Sequence, residues 1–209
     1  MAGYAAADIQ IDGLTNHEPE TLLAAIGVTP GGSLIGYDAA LARRTLENLD
    51  WVQEAKVQRV YPNQLEVSVI ERRPFAIWQK GQSYYVIDAT GAALSGMPSA
   101  SLVGLPLVTG DGAQKVAAEL INQLEVIPGI RSRFRAAARV GMRRWTLYLD
   151  NGVTLLLPER GWQKALAIVE DLNERQQLLA KGIVSIDLRL PDRFAVAVAK
   201  PAEAQAAVE

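Results

Sequence analysis

The sequence predicts an α+β fold in two domains, and three observations carry that expectation. Apolar and polar residues alternate in several short runs, the mark of half-buried strands; between these runs apolar residues recur at three- and four-residue spacing, the mark of helices packed on one side. Pro74 interrupts a strand-like stretch near residues 72–75. The patterns on its two sides do not repeat each other, so the second domain is not a copy of the first. We place the first domain at 8–73 and the second at 74–199, with a flexible start at 1–7 and a disordered tail at 200–209.

Ile9 and Ile11 alternate with Asp8, Gln10 and Asp12 ahead of Gly13, so a strand ends there in a turn. Pro19 suits the first position of a helix whose apolar face is Leu22, Leu23 and Ile26, and Gly27 suits its stop. Asp38 is placed to cap a second helix, in which Leu41, Thr45 and Leu49 fall at helical spacing. Two strands follow, one from Ala55 and Val57 and one through Leu65, Val67 and Val69. Tyr61-Pro62-Asn63-Gln64 joins them as a turn, with Pro62 presetting the backbone angle.

In the second domain short strands are expected at 75–78 and 84–88, then turn chemistry at Asp88-Ala89-Thr90-Gly91 and a loop at 98–106. Val116, Leu120, Ile121 and Leu124 make one helical face. The clearest hairpin has Trp145, Leu147 and Leu149 before Asp150-Asn151-Gly152 and Val153, Leu155 and Leu157 after it, with Asn-Gly read as a two-residue turn. Trp162, Leu166, Val169 and Leu172 form another helical stripe, with Gly182 as its stop. Ile186, Leu188 and Leu190 resume the strand pattern. Phe194, Val196 and Val198 end it, and these three are expected to face the core.

A formal net charge of -2, with no basic block, argues against nucleic acid as a partner. The absence of cysteine removes zinc thiolate sites, thiol nucleophiles and disulfides together. No apolar run approaches the ~18 residues of a membrane span. The single histidine, His17, sits at a turn and reads as a surface residue without catalytic or metal partners. Gly31-Gly32 lacks the Gly-Lys-Ser/Thr of a phosphate loop. Asp187 and Asp192 read as surface carboxylates, Glu71-Arg72-Arg73 as a solvated ion-pair group, and Trp51, Trp78, Trp145 and Trp162 as packing residues. No catalytic, cofactor-binding or metal residue is assigned, and the chain reads as a binding protein.

The strand and helix order of residues 8–71 resembles that of a POTRA domain, β-α-α-β-β. Within it, Leu49-Asp50-Trp51-Val52, Ala55-Lys56-Val57-Gln58-Arg59 and Tyr61-Pro62-Asn63-Gln64-Leu65 resemble the pattern of the FtsQ/DivIB family of cell-division proteins. Glu71-Arg72-Arg73-Pro74-Phe75-Ala76-Ile77-Trp78 is similar to that family's domain junction. Val86-Ile87-Asp88-Ala89-Thr90-Gly91 and Leu105-Pro106-Leu107 look like the segments after it. Arg143-Arg144-Trp145 and Val184-Ser185-Ile186-Asp187-Leu188-Arg189 extend the likeness towards Ala199.

The resemblance implies a non-enzymatic scaffold of the divisome, with a POTRA domain followed by a mixed β-sheet domain with packed helices. It implies a periplasmic location on the inner membrane at the septum, and a membrane helix upstream of Tyr4 that this chain does not contain. It implies binding to FtsB and FtsL, and other division proteins as partners of the POTRA domain. The FtsB site it points to is the terminal strand, for which Arg143, Leu190, Asp192, Phe194, Ala195, Val196, Ala197 and Val198 are the candidate residues. Between Arg193 and Lys200 that strand carries no charge, proline or glycine, so it reads as an unprotected sheet edge, the alternative being a strand paired on both sides inside the sheet and apolar for that reason. The rival reading is a POTRA module of an outer-membrane insertion or secretion machine; such modules repeat, and this one does not.

Overall fold

The computed structural model describes residues 8–95, 102–190 and 193–198. The flexible start, the tail and Asp192 fall outside these residues. The chain divides into two compact units, Met1–Phe75 with Tyr85–Leu105, and Ala76–Tyr84 with Pro106–Glu209. Residues 85–105, expected in the second domain, thus group with the first. Three bonds show why: Phe75 donates its N–H to the Ile87 carbonyl (2.8 Å), Arg72 Nη1 meets Asp88 Oδ2 (2.8 Å), and Ser95 Oγ donates to Asp50 Oδ2 (2.8 Å).

The first unit contains β1 (Asp8–Asp12), α1 (Pro19–Ile26), α2 (Ala39–Glu47), β2 (Val52–Val60) and β3 (Gln64–Glu71). Its sheet has the order β1-β3-β2, with β1 parallel and β2 antiparallel to β3. Pro19 opens α1, and Gly27 closes it in the left-handed conformation at φ 68°, where a side chain would be strained. Asp38 caps α2 by accepting from the N–H groups of Ala40 and Leu41, both at 3.0 Å. The buried stripe of α2 is Ala42 and Leu46, one residue along from the expected one, and Leu41 is exposed. Leu22, Leu46, Trp51, Leu65, Val67 and Val69 form the centre of this unit's core.

Two readings of polar groups in this unit are corrected. Glu71 is 7% exposed, not solvated. Its carboxylate accepts from Asn16 N (2.9 Å), Asn16 Nδ2 (2.8 Å) and His17 N (3.2 Å), fastening the β1–α1 loop to the end of β3. Burial alone would raise the Glu71 carboxyl, but the hydrogen bonds from Thr15 and Asn16 outweigh it and hold the group below the ordinary carboxylate range. His17 is not a surface residue either. Its side chain is 9% exposed, stacks on Trp51 at 3.8 Å and places Nδ1 3.4 Å from Glu71 Oε1.

β5 (Ser83–Ile87) pairs antiparallel with β6 (Ala93–Leu94) through the expected turn, in which Asp88 Oδ1 accepts from Thr90 N, Thr90 Oγ1 and Ala92 N. Desolvation would raise the Asp88 carboxyl; the bonds from Thr90, Arg72 and Ala92 prevail and lower it.

The second unit has β4 (Ala76–Lys80), β7 (Leu107–Thr109), α3 (Ala117–Glu125), α4 (Pro128–Arg133), β8 (Phe134–Val140), β9 (Arg144–Leu149), β10 (Thr154–Leu156), α5 (Trp162–Gln176), β11 (Ile183–Asp187) and β12 (Ala195–Val198). Its strands lie in the order β12-β11-β10-β9-β8-β7-β4, a mixed sheet in which β4, β7 and β8 run parallel, as do β10 and β11. Leu147, Leu155 and Ile186 lie in its core, and the helices bury Leu120, Leu124, Ile130, Leu166 and Val169. The β9–β10 connection is one residue longer than the expected two-residue Asn-Gly turn. Leu149 N bonds Val153 O (3.0 Å), and only Gly152 of the turn has positive φ, at 82°, so Asp150, Asn151 and Gly152 form a three-residue loop. α5 stops at Gln177, five residues before Gly182.

Candidate partner interface

β12 is the last strand of the sheet, and among the described residues it pairs with β11 alone. The pairing is antiparallel, with Asp187 opposite Ala195, Ile186 opposite Val196 and Ser185 opposite Ala197, and a register shift lies between Ile183 and Ser185. All four residues of β12 are exposed. The expectation that Phe194, Val196 and Val198 face the core is therefore corrected: they are 42%, 38% and 65% exposed. The alternation there is real, but these side chains keep a large exposed fraction, so it does not report burial.

Asp187 ends β11 and fixes the chain's exit. Its Oδ1 accepts from Arg189 N (3.0 Å) and Nε (2.8 Å), and Oδ2 accepts from Arg189 Nη2 (2.6 Å). That fork holds the Asp187 carboxyl below its ordinary range, with the Arg144 charge assisting. Leu188 N bonds Leu156 O (2.9 Å), so the chain stays on the sheet until Leu188 and then leaves it.

A groove of about 900 Å³ opens where it leaves, between the first turns of α5 and Leu188, Arg189, Leu190, Arg193 and Phe194. Leu188, Leu190, Phe194, Ala165 and Ile168 supply apolar walls; among the described residues Arg160, Lys164, Arg189 and Arg193 supply cations and Glu159 a carboxylate. The α5 contribution was not foreseen. Ile168, 52% exposed and off the buried stripe of Trp162, Leu166 and Val169, was the residue that signalled it.

Of the candidate residues, the structure brings Leu190 and Phe194 together in this groove, with Ala195, Val196, Ala197 and Val198 continuing into β12. Arg143 does not line the groove. It lies on the β8–β9 turn with Nη1 3.7 Å from Glu159 Oε2, the groove's carboxylate. Asp192 is outside the described residues. Among those residues no group of three or more metal-ligating side chains comes together, and no helix is long and apolar enough to cross a membrane.

The chain matches two family models: "POTRA domain, FtsQ-type" over residues 5–72 and "Cell division protein FtsQ/DivIB, C-terminal" over residues 76–189. It is similar to a protein called cell division protein FtsQ in Bartonella bacilliformis, 36% identical over 201 residues, which are 96% of this chain and 65% of that one. The protein of the same name in Agrobacterium fabrum is 35% identical over 195 residues, 93% of this chain and 62% of that one. The one in Rhizobium radiobacter is 37% identical over 171 residues, 82% of this chain and 81% of that one. The chain thus spans 65% or less of the length of the first two of these relatives.

Proposed function

We propose a binding function from one premise: the chain belongs to the FtsQ/DivIB family of cell division proteins, with a POTRA domain of the FtsQ type followed by the family's C-terminal domain. It acts without catalysis, as a scaffold on the periplasmic side of the inner membrane at the division septum. FtsB adds a strand to the free edge of β12, in a complex that includes FtsL. The observation that carries this reading is the open side of β12: four exposed residues without charge, proline or glycine at the end of a sheet. Folded proteins usually block such an edge, and an unblocked one is a template for a partner's backbone. The groove beside it supports a second contact, since its apolar walls and excess of cations suit a partner segment carrying acidic side chains.

Consecutive residues of a strand point their N–H groups to opposite neighbours. Of Val196 and Ala197, one therefore donates towards β11 and the other towards the open side. Proline removes a donor at each position in turn. Val196→Pro and Ala197→Pro are compared for thermal stability and for FtsB affinity by calorimetry. One is expected to unfold earlier; the other is expected to fold normally and bind FtsB at least tenfold more weakly, the equivalent of about 1.4 kcal/mol. Normal folding with unchanged affinity in either variant, together with early unfolding in the other, refutes strand addition.

A further inference from the structure

We infer that one end of the first unit is a contact surface for a lipid bilayer, with Tyr61 and Ile35 entering the headgroup region. Three segments meet at that end. The β2–β3 turn and Leu34 of the α1–α2 loop line one small cavity of about 200 Å³, and Asp8 N donates to Asn63 O at 3.1 Å, so β1 begins there as well. Tyr61 is 93% exposed, Ile35 66% and Val60 36%.

The charge pattern narrows what this end can touch. Residues 27–37 and 60–65 contain no charged side chain. At the chain's average of 21% charged residues, those seventeen positions would carry three to four. What stands in place of charge in the two loops is glycine, proline, serine, threonine, asparagine and glutamine around Tyr61 and Ile35, so the tips carry no ionic desolvation cost; the Asp8 carboxylate, exposed at the start of β1, is the acidic group of this end. Tyrosine, with an apolar body and a polar tip, favours the boundary between headgroups and acyl chains. Arg59 lines the same cavity one residue before the uncharged stretch, where its head can reach phosphates while its stem lies along the turn.

A protein partner is the weaker fit. The exposed apolar side chains stand on loop tips, and the cavity between those tips is smaller than the pockets that hold anchoring groups. A bilayer needs no concave site. Two side chains give a marginal affinity by themselves, so the contact orients a chain already held near a membrane and does not recruit it.

The test uses the whole chain, held on vesicles of phosphatidylethanolamine and phosphatidylglycerol through a C-terminal histidine tag and a nickel-chelating lipid. The chain contains no cysteine, so single reporters are clean. An environment-sensitive dye is placed by Ile35→Cys, Tyr61→Cys or, at the exposed end of α2, Asn48→Cys. The dye at 35 and 61 is expected to brighten and shift to the blue, and to be quenched by lipids labelled in the upper acyl chain; the dye at 48 is expected to do neither. Adding Tyr61→Asp to the Ile35→Cys reporter is expected to lower the inserted fraction about tenfold, near the value of one apolar side chain. Circular dichroism should be unchanged, because the altered side chains are exposed. Equal signals at all three sites, or an unchanged signal with Tyr61→Asp, overturn the inference. So does a blue shift at 35 and 61 without lipid in a chain that sediments as a dimer, which assigns this end to a second copy.

Discussion

Gly129→Ala tests whether the packing of α4 against α5 depends on a single carboxylate. Gly129 and Ile130 donate their N–H groups to Glu170, to Oε1 at 2.6 Å and Oε2 at 3.1 Å, and Glu170 is 8% exposed. A Cβ on Gly129 would stand 2.6 Å and 2.7 Å from the two carboxylate oxygens and 2.8 Å from Asn173 Nδ2. None of these is a distance that a Cβ tolerates, so the carboxylate must retreat. Retreat breaks two hydrogen bonds to a charged acceptor, each worth about 1.5–3 kcal/mol. Replacing glycine by alanine within a helix returns about 1 kcal/mol. The net expectation is a loss of about 2–5 kcal/mol, or a fall in Tm of roughly 4–20 °C for a chain of this size. Thermal unfolding followed by circular dichroism measures it, in wild type and in Glu170→Ala. In the second background both carboxylate contacts are gone and only Asn173 Nδ2 has to give way, so Gly129→Ala should cost much less than in wild type. Equal losses in the two backgrounds would refute the assignment of the cost to the Glu170 contact.

Other outcomes follow from the first unit. Glu71 and Asp88 ionise at lower pH when folded than when unfolded, so the stability they contribute is present above about pH 4 and is lost as pH falls below it. Acid unfolding monitored by tryptophan fluorescence should be less steep in Glu71→Gln than in wild type, and an identical slope would count against the clamp on the β1–α1 loop. His17→Ala removes a stacked ring from Trp51 and should lower stability by about 1 kcal/mol while leaving FtsB affinity unchanged. A lost interaction in a normally folded His17→Ala protein would overturn the placement of the interface on β12.

The regular elements were legible where local chemistry decides them. Pro19, Gly27 and Asp38 mark helix ends because caps act within one turn. The Leu65, Val67 and Val69 alternation is visible because one face of β3 is buried against helices. Spacing failed where an apolar residue faces water. Leu41 drew the α2 stripe one residue out of place, and Phe194, Val196 and Val198 mimicked a buried strand. Parallel pairing left no local trace at all. β8, rich in Ala and Arg, was not foreseen, because its place depends on β7 and β9 and not on its own pattern. His17 and Glu71 were misread for a related reason: a separation of 54 positions in sequence hides a contact that only the fold creates. The edge strand could be named from composition, yet its groove required α5, where Ile168 lies off the apolar stripe that helical spacing picks out.

The parallel pairing of β1 with β3 has a consequence for synthesis. Asp8 lies opposite Gln64, whereas β2 reaches β3 through a short turn. As the chain leaves the ribosome, β1 emerges first and has no strand to join until more than fifty residues have followed it. Distant pairings of this kind raise contact order and slow folding. β1 therefore waits unpaired, with Ile9 and Ile11 uncovered, through most of the translation of its own domain, an interval in which the nascent chain is open to capture by a chaperone or to misassociation.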